Sequence, residues 1–376
     1  IHNPLDWRMS ARSPCRGQGP RSRLSLKPPA DANPGIIRPM QVFRGFQPPG
    51  VAPACALTIG NFDGVHRGHQ AMLSLLRGEA RQRGLPSCVL TFEPHPRDYF
   101  ARVLGKPALA PARIVTLRDK LDQLQACGVD QVVVLRFDAQ LAALSPQAFI
   151  DQVLCQGLGA RYVLVGDDFR FGAQRAGDYA LLDAAGARQG FDVARMNSYE
   201  VHGLRVSSSA VRAALAEGDM TATARLLGRP YAVSGHVVHG RKLGRTLGFR
   251  TLNLRFAHWK PAASGIFVVQ VHGLEGPLGS HAPRLGVANL GVRPSLDPSD
   301  VNGGRVLLET HVLDWPDRLA ASGQEVYGQV IRVELLHKLH DELKYDGLES
   351  LTAGIAHDCT EARAWWDARA EALPLK

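Results

Sequence analysis

Residues 58–69 read TIGNFDGVHRGH. An apolar run, ACALTIG (54–60), leads into this segment; the chain then turns at Gly60 and Gly64 and enters, near Gly68, the helical pattern HQAMLSLLRGEARQRG (69–84). The same handover recurs downstream: SCVLTFEP (87–94) precedes LRDKLDQLQACG (117–128), VDQVVVLRF (129–137) precedes SPQAFIDQVLCQGL (145–158), and ARYVLVGDD (160–168) follows. Short apolar runs alternating with helical periodicity predict a parallel sheet covered by helices on both faces, the α/β class.

The pattern changes after AVRAALAEGDMTATARLLGRP (210–230). YAVSGHVVHG (231–240), TLNLRF (251–256), GIFVVQVHG (265–273), RLGVANLGV (284–292), RVLLETHVL (305–313) and YGQVIRVELL (327–336) read as strands with Gly-rich turns. Only residues 348–372 look helical again. A small antiparallel β-barrel closed by a C-terminal helix is expected here. The seam falls near Leu227 to Pro230, giving a domain over 40–227 and another over 228–376, with no internal repeat between them.

A length of 376 residues suits two cores of roughly 150 to 200 residues each. Residues 1–39 are rich in Pro, Arg and Ser, without periodic apolar positions, and are expected to be a disordered extension; Met40 suggests that they precede the native start. They carry seven basic side chains (Arg8, Arg12, Arg16, Arg21, Arg23, Lys27, Arg38) against Asp6 and Asp31, more than half of the net +9. The remainder holds no basic block interleaved with aromatics, which argues against nucleic acid. No run of about 18 apolar residues occurs, so no membrane span is expected. Six scattered cysteines without a C-x-x-C pair fit a reduced, cytoplasmic setting.

A helix N-terminus reached through glycines attracts phosphate, because its N–H groups are free and backbone can come close. His66 and His69, three residues apart, can face one side of the helix entrance and stabilise charge at a reacting phosphorus. Taken alone, H-x-x-H could equally be a helix cap or a metal pair. The whole segment GNFDGVHRGHQ (60–70), however, resembles the HxGH signature of nucleotidyltransferases, specifically the FAD synthetase module of bacterial bifunctional riboflavin kinase/FAD synthetases. TFEPHP (91–96), VGDDFRFG (165–172) with RAGD (175–178), and VSSSAVR (206–212) follow in the family's order, the last with Ser209 for Thr and Val211 for Ile.

That resemblance implies a Rossmann-like nucleotidyltransferase domain. Gly60, Asn61, Phe62, Gly64, His66 and His69 would then contact ATP, and Ser207, Ser208, Ser209 and Arg212 would close over its phosphates. Phe92, Pro94, His95, Pro96, Asp168, Phe169 and Phe171 would shape a flavin pocket. Read from the residues alone, the serines are equally good caps for the helix that follows, and the three phenylalanines are equally good core.

GHVVHGRKLGRTLGFRTLN (235–253) is Gly-rich and basic but not a Walker A loop, since Gly240 is followed by Arg-Lys-Leu. A loop of this kind suits phosphate. It resembles the riboflavin kinase signature, with Arg250 where Pro is usual, and implies ATP contacts by Gly240, Lys242, Gly244 and Gly248. Thr251 and Asn253 share one strand face, so that their oxygens can approach one hard cation, here Mg2+. GVANLGVRPS (286–295), LETHVLD (308–314) and LHDELKYDGLESL extend the likeness, with His340 where Arg is frequent. In RVLLETHVL the alternation places Leu307, Glu309, His311 and Leu313 opposite Val306, Leu308, Thr310 and Val312. The resemblance implies that Glu309 is the kinase base, and Asp314 is the nearest competing acid.

The expected activities are phosphorylation of riboflavin to FMN and adenylylation of FMN to FAD, both using ATP and Mg2+, with small molecules rather than nucleic acid or membrane as partners. The alternatives are a nucleotidyltransferase for another small phosphorylated substrate, and a non-catalytic flavin- or nucleotide-binding regulator.

Overall fold

The computed structural model describes residues 39–201, 204–240, 248–255, 260–274, 282–293, 305–315 and 326–372. Four strands are buried along nearly their whole length: Cys55–Ile59 (β2), Ser87–Glu93 (β3), Gln131–Arg136 (β4) and Ala160–Gly166 (β5). Continuous apolar runs are what a parallel sheet with both faces covered requires. Two further parallel strands, Gln41–Arg44 (β1) and Asp192–Met196 (β6), close its edges, in the order β1-β4-β3-β2-β5-β6. These edges carry no apolar signature and were absent from the sequence pattern.

The covering helices are Arg67–Arg83 (α1), Pro96–Val103 (α2), Leu117–Ala126 (α3), Ala139–Ala143 (α4), Pro146–Ala148 (α5) and Tyr179–Gln189 (α6). Ser208–Glu217 (α7) and Met220–Leu227 (α8) complete them, after a short hairpin of Glu200–Val201 (β7) and Leu204–Arg205 (β8). The helix expected over 145–158 forms, but after one turn it widens into a π-helix, Phe149–Gly157, burying Phe149, Ile150, Val153 and Leu154.

The remaining strands are Tyr231–Val238 (β9), Thr251–Arg255 (β10), Gly265–His272 (β11), Arg284–Arg293 (β12), Arg305–Val312 (β13) and Val330–His340 (β14). They close an antiparallel barrel in the order β10-β13-β12-β11-β14-β9. A terminal helix, Leu348–Ala372 (α9), buries Ala362 against Val268 and Val287 on the barrel's outer face. His340 ends β14, four residues beyond the strand limit suggested by the sequence.

One apolar core continues from the sheet part into the barrel. Ile114, Val115, Val211, Leu215 and Leu227 pack in the same cluster as Tyr231, Val233, Leu254, Phe267 and Leu308. Among the described residues no helix is long and apolar enough to cross a membrane.

Candidate active sites

The chain runs from β2 to β3 and β4 on one side, then returns to place β5 on the other side of β2. Ligands in open α/β sheets bind beyond the strand C-termini at such a reversal. The turn between β2 and α1 lies there. Phe62 (φ 48°), Gly64 (φ 93°) and Val65 (φ 41°) all occupy the left-handed region, which costs a non-glycine residue about 1–3 kcal/mol. Contacts on several sides over-determine the turn. The Asp63 carboxylate, 1 % exposed, accepts from the backbone N–H of Ile114 (3.2 Å) and Val115 (3.3 Å) and from Arg212 (2.6 Å). Gly64 packs so closely on Ile114 and Leu227 that a Cβ would lie 3.2 Å from Ile114.

His66 caps α1, its Nδ1 accepting from the His69 N–H at 3.3 Å. Its ring stacks on that of His69 with 3.6 Å between centroids and 15° between planes. Gly68 permits this, because a Cβ there would stand 3.2 Å from His66 Nδ1 and 3.4 Å from the Val206 carbonyl. Two imidazolium rings would repel at such a distance, so the stack disfavours double protonation. Burial, opposed by Asp63, lowers the His66 pKa to about 4. Burial, reinforced by His66, Lys120 and Arg229, holds His69 well below its usual value. The cap and the ligand readings of the histidines are thus divided: His66 is a cap, while His69 Nδ1 is buried without a partner.

Asn61 Oδ1 is likewise buried and unpartnered, and the Asn61 carbonyl accepts from Thr91 Oγ1 at 3.4 Å. Lys120, fully buried on α3, donates to the same hydroxyl at 3.4 Å. Burial and then Arg113 lower its pKa to about 8. Arg113 in turn pairs with Asp98 (2.9 Å) and Glu93 (3.3 Å). His95 caps α2 by accepting from the Arg97 N–H, with Pro96 in the first turn, and burial lowers its pKa to about 3. Ser207 caps α7, Ser208 Oγ donates to the Asp63 carbonyl (2.9 Å), and Ser209 is exposed. Arg212 is committed to Asp63 and to the Ala112 carbonyl (2.7 Å), so it ties α7 to the turn.

The aromatic residues divide. Phe171 is buried against Phe149 and stacks on half-buried Phe169 (5.4 Å), while Phe92 meets Phe137 edge-on (5.9 Å). Pro94 is half-buried, and Asp168 is almost wholly exposed beside Arg205. Asp63, Thr91, Arg113, Lys120 and Arg229 were not singled out from sequence. Asp63 sits inside a quoted motif, but its partners lie 51 to 149 positions away.

On the barrel, Val306, Leu308 and Val312 point inward, leaving Glu309 on the outer face as the alternation predicts. The register places Glu309 between Asn253 of β10 and Asn289 of β12, with Thr251 opposite His311 one step along. Both amide oxygens, Asn253 Oδ1 and Asn289 Oδ1, are buried without a partner. Gly240 lies against the Asn253 amide so closely that a Cβ would collide with it. Gly248 has φ 87°, while Lys242 and Gly244 lie outside the described residues. The Arg250 carbonyl and His311 Nδ1 are 2.9 Å apart, an anchor at the position where proline is usual. Asp314 pairs with Arg363 of α9 (2.8 Å) and His340 with Asp358 (2.8 Å), so both serve the terminal helix.

A phosphate-type turn at the reversal of a parallel sheet, followed by a barrel that aligns a carboxylate with two amides, defines a transferase with two separate centres. The FAD synthetase family model matches residues 49–210 and the riboflavin kinase model residues 227–366. The chain belongs to the bifunctional riboflavin kinase/FMN adenylyltransferase family. It is 44% identical to the protein of that name from Escherichia coli (strain K12), over 87% of this chain and 98% of the relative. It is 41% identical to that of Haemophilus influenzae, over 87% and 100%. A solved structure from Streptococcus pneumoniae, named a macrolide-efflux protein, shares the fold, with a TM-score of 0.66 and 25% identity over 87% of this chain and 100% of its own.

Proposed function

We infer that this chain converts riboflavin to FMN in its barrel part (228–376) and FMN to FAD in its sheet part (40–227). The observation that carries the reading is the pairing of two unrelated constellations on one chain, each at the position its family model covers. In the barrel, Glu309 accepts the proton of the ribityl 5′-hydroxyl as that oxygen attacks the γ-phosphorus of ATP, and ADP departs. Thr251 and Asn253 fit Mg2+: the buried Asn253 amide oxygen, which has no hydrogen-bond partner, is a hard oxygen ligand suited to such a cation. Bound there, Mg2+ would neutralise phosphate charge.

In the sheet part, an FMN phosphate oxygen attacks the α-phosphorus of ATP and pyrophosphate leaves. The neutral histidine pair donates N–H groups to the oxygens on which charge accumulates, in a buried setting where such bonds are strong. Ser207 to Ser209 and the α7 N-terminus flank the phosphates, and Phe92, Phe169, His95 and the prolines border the flavin. The setting is cytoplasmic, where both substrates and ATP are at hand. Incubation with riboflavin and Mg-ATP, with chromatographic separation of riboflavin, FMN and FAD, tests this: FMN and then FAD are expected. Absence of both overturns the assignment.

A further inference from the structure

Arg229 stands between α8 and β9, beyond the residues that the FAD synthetase model covers. Its guanidinium nevertheless reaches the turn of the adenylyl-transfer site. Nη2 donates to the Gly64 carbonyl at 2.7 Å, and Nη1 donates to the carbonyls of Val65 and Leu227, both at 3.1 Å. Gly64 and Val65 are two of the three left-handed residues, and Val65, β-branched, tolerates that conformation worst. Gln70 adds donors to the same Val65 and Leu227 carbonyls. The next residue, His66, is the cap on which His69 stacks.

The charge matters as well as the grip. The groups that act on the two imidazoles are Asp63 from the turn, Arg212 from α7, Lys120 from α3 and Arg229 from the segment after α8. Arg212 is neutralised by Asp63 at 2.6 Å. Among the described residues no carboxylate pairs with Arg229, whose three acceptors are all carbonyls. A cation of this kind opposes protonation of both rings.

We propose that Arg229 is a positioning residue for FMN adenylylation, contributed from the start of the riboflavin kinase half: its planar fork fixes the Gly64–Val65 turn that presents His66, and its charge adds to the burial that dominates around the stacked rings. This rests on the assignment of adenylyl transfer to the histidine site. Arg229→Met keeps much of the stem and removes fork and charge; Arg229→Lys keeps the charge and loses the fork. Both are made in the full chain, and FAD formation from FMN and FMN formation from riboflavin are followed against pH.

Arg229→Met should lower kcat for FAD formation on the order of a hundredfold through misplacement, move the acid limb of its pH profile to higher pH, and leave riboflavin phosphorylation unchanged. Arg229→Lys should lower kcat less and keep the acid limb of the unmodified protein. Unmodified kcat and acid limb in the Met variant would overturn the proposal, as would an equal loss of both activities in both variants. If the unmodified protein makes no FAD, the site assignment fails instead. The influence of Arg229 on the histidines is then read separately, from 13C-histidine NMR: His66 titrating at higher pH in Arg229→Met supports that influence apart from adenylyl transfer, and an unchanged titration overturns it too.

Discussion

At the residue scale the two histidines are not equivalent. Replacing His66 removes a helix cap as well as a donor, and a lost cap costs about 1 kcal/mol by itself. Among the described residues the His69 side chain bonds no backbone group, so His69→Ala removes a ring contact to His66 but spares the cap. It should slow FAD formation by roughly a hundredfold or more while FMN accumulates from riboflavin; an equal fall in FMN formation would contradict the division of labour. Glu309→Gln keeps the shape and removes the proposed base, so riboflavin phosphorylation should vanish while supplied FMN is still adenylylated, as initial rates would show. Asp314→Asn is the control, because Asp314 is already bound to Arg363. Candidates of this kind can be picked out in sequence because each sits in a short motif. Arg229, which grips the turn before His66, cannot be, since a side chain that reaches a turn 164 or 165 positions away leaves no local pattern.

At the scale of elements, the central strands announced themselves by composition and the barrel strands by alternation. The edge strands β1 and β6 did not, because a strand half open to solvent needs no apolar run. Titration separates the elements further. His340, at the end of β14, loses some charge preference to burial, but its bonds to Asp358 and the Asp341 carbonyl outweigh this and raise its pKa. The stabilisation is complete below the unfolded value of about 6.5 and is lost as pH rises through the raised folded value. Protection of the amides over 348–372, corrected for the intrinsic base-catalysed exchange rate, should therefore fall at mildly alkaline pH, and His340→Gln should remove that fall. In the sheet part the sign reverses. His66 and His95 are pushed by burial to about 4 and about 3, so their neutral burial is fully favourable above about 6.5 and is lost as pH falls toward those values. Tm should decline over that window, and His95→Gln should flatten the decline.

At the scale of the whole molecule, deleting residues 1–39 should leave both activities and Tm unchanged, since the segment's sequence offers no apolar face to dock; a clear loss of either activity would show that it contributes. The apolar cluster that runs from Ile114, Val115 and Leu215 into the barrel interior has a different consequence. Calorimetry should record one transition, and riboflavin, as ligand of the proposed kinase site on the barrel, should shift all of it upward by mass action. Two peaks of which only one moves would contradict this. The two reactions are therefore chemically separable yet not cassettes. A chimaera joined at Leu227 would bring together apolar surfaces that never matched, and grafting either half between relatives requires carrying the facing side chains of the other.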